Sequence, residues 1–405
     1  PEVAAAIAVE ARDQMYIRHA PLWVLRALAR NGGGRIVGDA LARVCQRADD
    51  MTEFLALYWQ DKRQPLSKQV KRGLALAFPK FDAYQLGKYD RANAVRLRDV
   101  LFLAHPKPID EAQAVVWKQL VDSTLPAPDT WEVALSGGAA KRETWERLLT
   151  EQKLGGLALL RNLRNMQQAG VERSTIRQAI AVNPFKRVLP FRFIAAAIYA
   201  PEFEPDLDAA MLRTLSQASK LPGRTVVVID VSGSMYGQAV SEKSDMNRAH
   251  AAAALGAISR ELCEDSAIYA TAGNDFTRVH KTERVPSRRG IALVDAIYGL
   301  RVSLGGGGIF LKQVMDFVRE RETTADRTIV ITDEQDCSGG GADAPANARP
   351  LGRGYLLNVN TYKNGIGYKP HWTHIDGWSE NVIRYIAEAE SVRACRARRS
   401  RSARR

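Results

Sequence analysis

The chain changes rhythm at Leu221-Pro222-Gly223. Ahead of that tripeptide the sequence reads as helices alone. Behind it, β-branched runs alternate with helical stretches. Thr225–Val231 is one continuous run, as strands buried on both faces read, and it carries an acid near its end, Asp230. Arg327–Asp333 repeats the design. Helices over Ser244–Leu262, 291–300, Phe310–Arg321 and Trp378–Ala389, with strands over 267–271 and Tyr355–Thr361, complete the alternation. That pattern predicts a doubly wound α/β sheet. Ligands of such sheets collect at the carboxyl ends of the strands, where Asp230 and Asp333 both fall.

The helical part has its own signals. Leu154, Leu157, Leu160, Leu163 and Met166 form an apolar stripe that needs a partner helix. Ser67 is placed to cap a helix that Pro79 follows, with Lys68, Lys71 and Arg72 on one face. Phe81, Tyr84 and Lys88 share a face of the next helix, and Asp99–His105 is another, stopped by Pro106. Short helices without strands predict an α-solenoid or stacked helix pairs. The expected organisation is a helical domain over 1–222, an α/β domain over 223–390 and a disordered Arg-rich tail over 391–405.

The net charge of +13 is unevenly spread. The tail Ser391–Arg405 holds seven arginines and no acid, while Asp61–Pro108 sets eleven Lys and Arg against four Asp. A basic surface inside a folded segment is the electrostatic footprint of a polyanion, most often nucleic acid. Tyr84, Tyr89 and Phe81 among Lys68, Lys71, Arg72 and Lys88 could stack unpaired bases, with Phe81 equally suited to a core. Arg161 and Arg164 read as a mixture, one facing RNA and the other paired with an acid. No run of about 18 apolar residues is present, which excludes a transmembrane helix. Four scattered cysteines without a C-x-x-C pair argue against a disulfide scaffold or zinc ribbon and fit a reducing cytosol.

Asp230-Val231-Ser232-Gly233-Ser234 is the sharpest local signal. An acid and two hydroxyls at alternate positions of a strand-to-loop turn converge on one centre, and such hard oxygens suit Mg²⁺ or a similar divalent ion. A haloacid-type phosphatase would need a second acid where Ser232 stands, and neither serine has the glycines of a nucleophile elbow. His371-Trp-Thr-His374 has metal-like spacing without a third ligand nearby and reads as structural.

With Thr332-Asp333 at a later strand end, this pentad resembles the metal-ion-dependent adhesion site of von Willebrand factor A domains, D-x-S-x-S followed by a distant Thr and a distant Asp. Asp230, Ser232, Ser234 and Asp333 are the expected metal residues; the expected Thr appears as Gly308, in the turn Gly305–Gly308. A threonine there should complete the set. The resemblance runs further. Trp145-Glu-Arg-Leu-Leu, Ala158-Leu-Leu-Arg-Asn-Leu-Arg-Asn-Met, Asn183-Pro-Phe and Arg192-Phe, in that order before the pentad, resemble the Ro autoantigen family, built on a TROVE domain. Leu66-Ser-Lys-Gln-Val-Lys-Arg-Gly-Leu and Val95–Pro108 resemble its bacterial branch.

That resemblance implies a ring of α-helical HEAT-like repeats, the TROVE domain, closed by a von Willebrand factor A-like α/β domain. It implies a non-enzymatic, cytoplasmic, monomeric RNA-binding protein that takes small structured Y-like RNAs and the single-stranded ends of misfolded RNAs. RNA quality control or processing with a 3′ exoribonuclease follows. The family's opening segment is expected ahead of Pro1. Its RNA-contacting basic helix falls on Lys88-Tyr89, with Arg91 one place before an expected basic residue that is Ala92 here. Its histidine before a Lys-Pro pair falls on His105, beside Lys107. The expected RNA-binding set is therefore Lys68, Lys71, Arg72, Lys88, Arg91, His105, Lys107, Arg161 and Arg164. A second reading keeps the helical domain as scaffold for a metal-dependent protein-interaction module, and a third, a hydrolase using Asp230, lacks a base.

Overall fold

Side-chain caps set several helix starts. Ser67 accepts a hydrogen bond from the Val70 amide at 3.3 Å, Asp82 from that of Gln85 at 2.7 Å and Asp110 from that of Gln113 at 2.8 Å. Each satisfies an amide that the helix itself leaves without a partner. In the computed structural model every residue is described except 128, 137–139, 238, 241–245, 361–370, 378, 380 and 403–405, with only the backbone described for Ser136 and for 393–402. The predicted ends at Ser244, Thr361 and Trp378 lie outside the described residues.

The chain forms two compact units, Pro1–Lys153 and Leu154–Arg405. This boundary falls ahead of the change in sequence rhythm at Leu221. The first unit is helical: α1 (Glu2–Asp13), α2 (His19–Arg30), α3 (Arg35–Val44), α4 (Ala48–Tyr58), α5 (Lys68–Ala77), α6 (Ala83–Tyr89), α7 (Leu97–Ala104), α8 (Glu111–Val121), α9 (Trp131–Ser136) and α10 (Lys141–Thr150). Leu22, Leu41, Phe54, Leu74 and Phe78 are fully buried in its core. α3 and α5 cross where Gly38 meets Gly73; a β-carbon on Gly73 would stand 2.8 Å from the Gly38 carbonyl oxygen. Only a residue without a side chain permits that approach. Phe81 departs from the sequence reading. It follows a 3₁₀ turn (Phe78–Lys80) rather than lying in α6, and is buried, so it belongs to the core.

The second unit opens with α11 (Gly156–Gln168), α12 (Arg173–Val182), α13 (Phe191–Tyr199) and α14 (Glu204–Leu215). It continues as β1 (Leu221–Asp230), α15 (Gly233–Tyr236), α16 (Arg248–Leu262), β2 (Cys263–Asn274), β3 (Val279–Arg284), α17 (Gly290–Leu304), α18 (Leu311–Arg321), β4 (Arg327–Thr332), β5 (Arg353–Asn358), β6 (Trp372–Asp376) and α19 (Asn381–Ser402). Helical backbone thus extends through most of the Arg-rich segment, as far as Ser402. In α11 a strict three-residue stripe drifts off the 3.6-residue face: Leu157 is exposed, while Leu159 is buried beside Leu160, Leu163 and Met166. Asp208 of α14 accepts the Ile291 amide at 2.7 Å and so caps α17, which ties this helical stretch to the sheet.

The sheet runs β3-β2-β1-β4-β5-β6, parallel throughout except for antiparallel β3. Residues 225–230 are buried on both faces, as their apolar run predicts. Val226 and Val228 pack with Val330 against Leu311, Val314 and Val318 of α18. Strand order reverses between β1 and β4, so their carboxyl ends border the crevice that a doubly wound sheet offers a ligand. β3 and β6, short and polar on one face, are absent from the sequence reading.

Candidate functional site

β1 delivers Asp230 to that crevice and β4 delivers Thr332 and Asp333; all three are fully buried. Asp230 Oδ1 accepts the Ser232 amide at 2.8 Å, and Thr332 Oγ1 donates to Asp230 Oδ2 at 2.6 Å. Ser232 and Ser234 bring their hydroxyl oxygens to 3.3 Å. The structure therefore brings together the four expected metal residues around one strand-end crevice, and adds Thr332. Burial, followed by the neighbouring Asp333 carboxylate, pushes the Asp230 carboxyl up to about 7.

No local pattern in the sequence marks the most important group here. Arg248, from the first turn of α16, is buried and directs its guanidinium at the same crevice. Its Nη1 lies 3.1 Å from Asp333 Oδ2, and its Nη2 donates to Asn360 Oδ1 at 2.9 Å. Tested as a cage for a hard divalent ion, the set falls short on two observations. One of its two acids already faces a fixed cation. Gly308 offers no side-chain oxygen, and a β-carbon there would stand 2.2 Å from Cys337 Sγ. Among the described residues, no group of three or more His, Cys, Asp or Glu is placed to hold a metal. The histidines of His371-Trp-Thr-His374 diverge: His371 meets Arg349, and His374 pairs with buried Glu334.

The basic segment of the first unit divides into cations held by other groups of the fold and cations that stand exposed. Arg72 pairs with Asp39 at 2.7 Å and Arg96 with Asp90 at 2.9 Å, while Lys80 donates to the carbonyls of Ala42 and Cys45. These three serve the fold. Lys68, Lys71, Arg91, His105 and Lys107 are exposed. Lys88 lies 5.6 Å from the Tyr84 ring centroid and 5.9 Å from that of Tyr89, and Arg47 covers Tyr89 at 4.5 Å. Tyr84 is 44 % exposed, which leaves an aromatic face beside a cation. His105 ends α7 in the left-handed region, φ 49°, and Phe102, one turn back, is 55 % exposed. In the second unit Arg161 and Arg164 are both exposed on α11, and among the described residues neither has the acid partner expected of one of them.

Residues 122–260 match the TROVE domain family model. Among solved structures, the crystal structure of the Deinococcus radiodurans RO (RSR) protein matches with a TM-score of 0.69 at 19% identity, over 96% of this chain and 91% of that one. The fold, helices followed by a doubly wound α/β sheet, is the Ro fold. No curated protein matches the chain. No described helix is long and apolar enough to cross a membrane.

Proposed function

We propose that the chain is a Ro-type RNA-binding protein without enzymatic activity. It takes small structured Y-like RNAs and the single-stranded ends of misfolded RNAs, and works in cytoplasmic RNA quality control beside a 3′ exoribonuclease. The carrying observation is the surface of the first unit where exposed Tyr84 sits with Lys88, beside half-buried Tyr89 under Arg47, flanked in sequence by exposed Lys68, Lys71, Arg91, His105 and Lys107. Lysines and arginines hold phosphates without reading sequence, and aromatic faces stack unpaired bases. The TROVE match and the Ro fold support the same reading. The α/β unit is read as von Willebrand factor A-like on its strand-end pentad. The alternative of a metal-dependent interaction module is weakened by the guanidinium against Asp333.

The test is purification followed by absorbance at 260 and 280 nm before and after nuclease, with sequencing of the retained RNA. RNA should copurify and nuclease should lower the ratio. A nuclease-insensitive ratio, together with no binding of stem-loop or single-stranded RNA at low salt, overturns the proposal.

A further inference from the structure

We infer that the guanidinium of Arg248, held between Asp333 after β4 and Asn360 after β5, supplies the positive charge of this crevice, so that the strand-end pentad of this chain works without a divalent metal. The inference is independent of RNA binding and rests on three features of the crevice. The first is position. Arg248 is 5% exposed and its guanidinium bridges two strand ends, Asp333 after β4 at 3.1 Å and Asn360 after β5 at 2.9 Å. Arginine suits that role because its planar fork stays charged and is weakly hydrated, so it enters buried ion pairs more readily than lysine.

The second is the donor set. A hard divalent ion wants several oxygens and holds its waters reluctantly. Here Asp230 already accepts from the Ser232 amide and the Thr332 hydroxyl, and position 308 supplies no hydroxyl. The third is space and charge. Cys337 and Asp275 fill the region that a Gly308 side chain would enter. Two positive charges on the same dication, added to a crevice that already holds a buried guanidinium, meet strong repulsion where the dielectric is low. Buried charges persist when paired, and Asp333 with Arg248 is such a pair.

The measurement is electron paramagnetic resonance of free Mn²⁺ titrated with the intact protein, paired with thermal unfolding in EDTA and in Mn²⁺. The unmodified chain should leave the free-Mn²⁺ signal unquenched at equimolar ratio, and its melting temperature should be the same in both buffers. Arg248→Gln keeps a hydrogen-bond donor for Asn360 but removes the charge. It should raise Mn²⁺ affinity at least tenfold and make the melting temperature respond to Mn²⁺. Stoichiometric quenching by the unmodified chain that Asp230→Asn abolishes overturns the inference, and this result needs no folded Arg248 variant. An Arg248→Gln protein that folds and gains no affinity overturns it equally.

Discussion

Thr332 and Asp230 join β4 to β1 at their carboxyl ends: the threonine hydroxyl donates to the carboxylate at 2.6 Å, with both side chains fully buried. The same hydroxyl accepts the Glu334 amide at 3.0 Å, so one side chain serves the acid before it in space and the turn after it in sequence. Thr332→Val removes donor and acceptor while keeping the shape. Leaving a buried carboxylate oxygen and an amide short of partners should cost about 1–3 kcal/mol. Urea unfolding checks this, and Thr332→Ser should recover most of the loss. A valine variant as stable as the parent would show that the bond contributes nothing net.

RNA affinity should fall steeply with salt. On single strands the logarithmic slope is about −0.7 per phosphate contact. Lys68→Ala, Lys71→Ala and Lys88→Ala combined should therefore lower the slope's magnitude by about 2. Filter binding across a salt series measures it. Arg72→Ala, by contrast, should act through stability, because Arg72 is held by Asp39 at 2.7 Å. An unchanged slope in the triple variant would remove this surface from the interface.

His105 tests binding apart from folding. Its φ of 49° closes α7 in a conformation that costs an ordinary L residue roughly 1–2 kcal/mol. His105→Gly, relieved of that strain, should fold at least as stably as the parent and still lose RNA affinity, whereas His105→Ala, which keeps the strain, should lose RNA affinity at about the parent's stability. Thermal unfolding and RNA titration of the two variants separate the effects. Full RNA affinity in the glycine variant would assign His105 a purely structural role.

Two imidazoles of the second unit should make it acid-sensitive. His250 stacks on Tyr298 at 3.9 Å, and burial holds it below its ordinary 6.5, opposed only by Asp295. Burial, then Arg321, lowers His280 as well, against Asp316 and Glu320, and its ring meets the Thr282 hydroxyl at 2.8 Å. The unfolded chain takes up these protons near pH 6.5, the folded chain only at lower pH. The stabilisation is thus complete above 6.5 and is lost as pH falls below it. Melting temperature should drop between pH ~7.5 and ~5.5, and His250→Gln with His280→Gln should flatten the profile. Imidazole resonances titrating at or above 6.5 would contradict the argument.

Local chemistry was readable in the sequence, and long-range chemistry was not. Thr225–Val231 and Arg327–Asp333 announce β1 and β4 because strands covered on both faces need unbroken apolar runs. Ser67 announces α5 because a cap is a contact three residues long. β3 is not legible because Val279–Arg284 is mostly exposed and polar around a single buried Thr282, with no alternation, and its pairing with β2 is set by the hairpin. Arg248 lies inside the predicted helix Ser244–Leu262 with nothing local to set it apart. Its meaning depends on Asp333, 85 residues away, which no local pattern encodes. The Leu157 misplacement has a simpler cause, since a three-residue period rotates steadily off a 3.6-residue face.

The sequence alone suggests that Gly308→Thr would complete a metal site, but the packing predicts a damaged loop. A β-carbon at 308 would stand 2.2 Å from Cys337 Sγ, 2.9 Å from its Cβ and 3.1 Å from Asp275 Oδ1. The loop has little freedom to retreat, because the Gly308 amide donates to Asp275 at 2.7 Å and the Cys337 amide to the Ile309 carbonyl at 2.8 Å. Overpacking of this kind typically costs about 1–3 kcal/mol. Cys337→Ala would remove the Sγ contact but leave the Cβ at 2.9 Å, so Cys337→Gly is the partner substitution that clears the space. A double-mutant cycle by urea unfolding should give a favourable coupling between Gly308→Thr and Cys337→Gly of about 1 kcal/mol or more. With Arg248 still against Asp333, neither the single nor the double variant should bind Mn²⁺ more tightly than the parent. Additive destabilisation would mean that the threonine finds room elsewhere. Increased Mn²⁺ affinity would mean that a hydroxyl at 308, rather than the guanidinium, decides whether this crevice takes a metal.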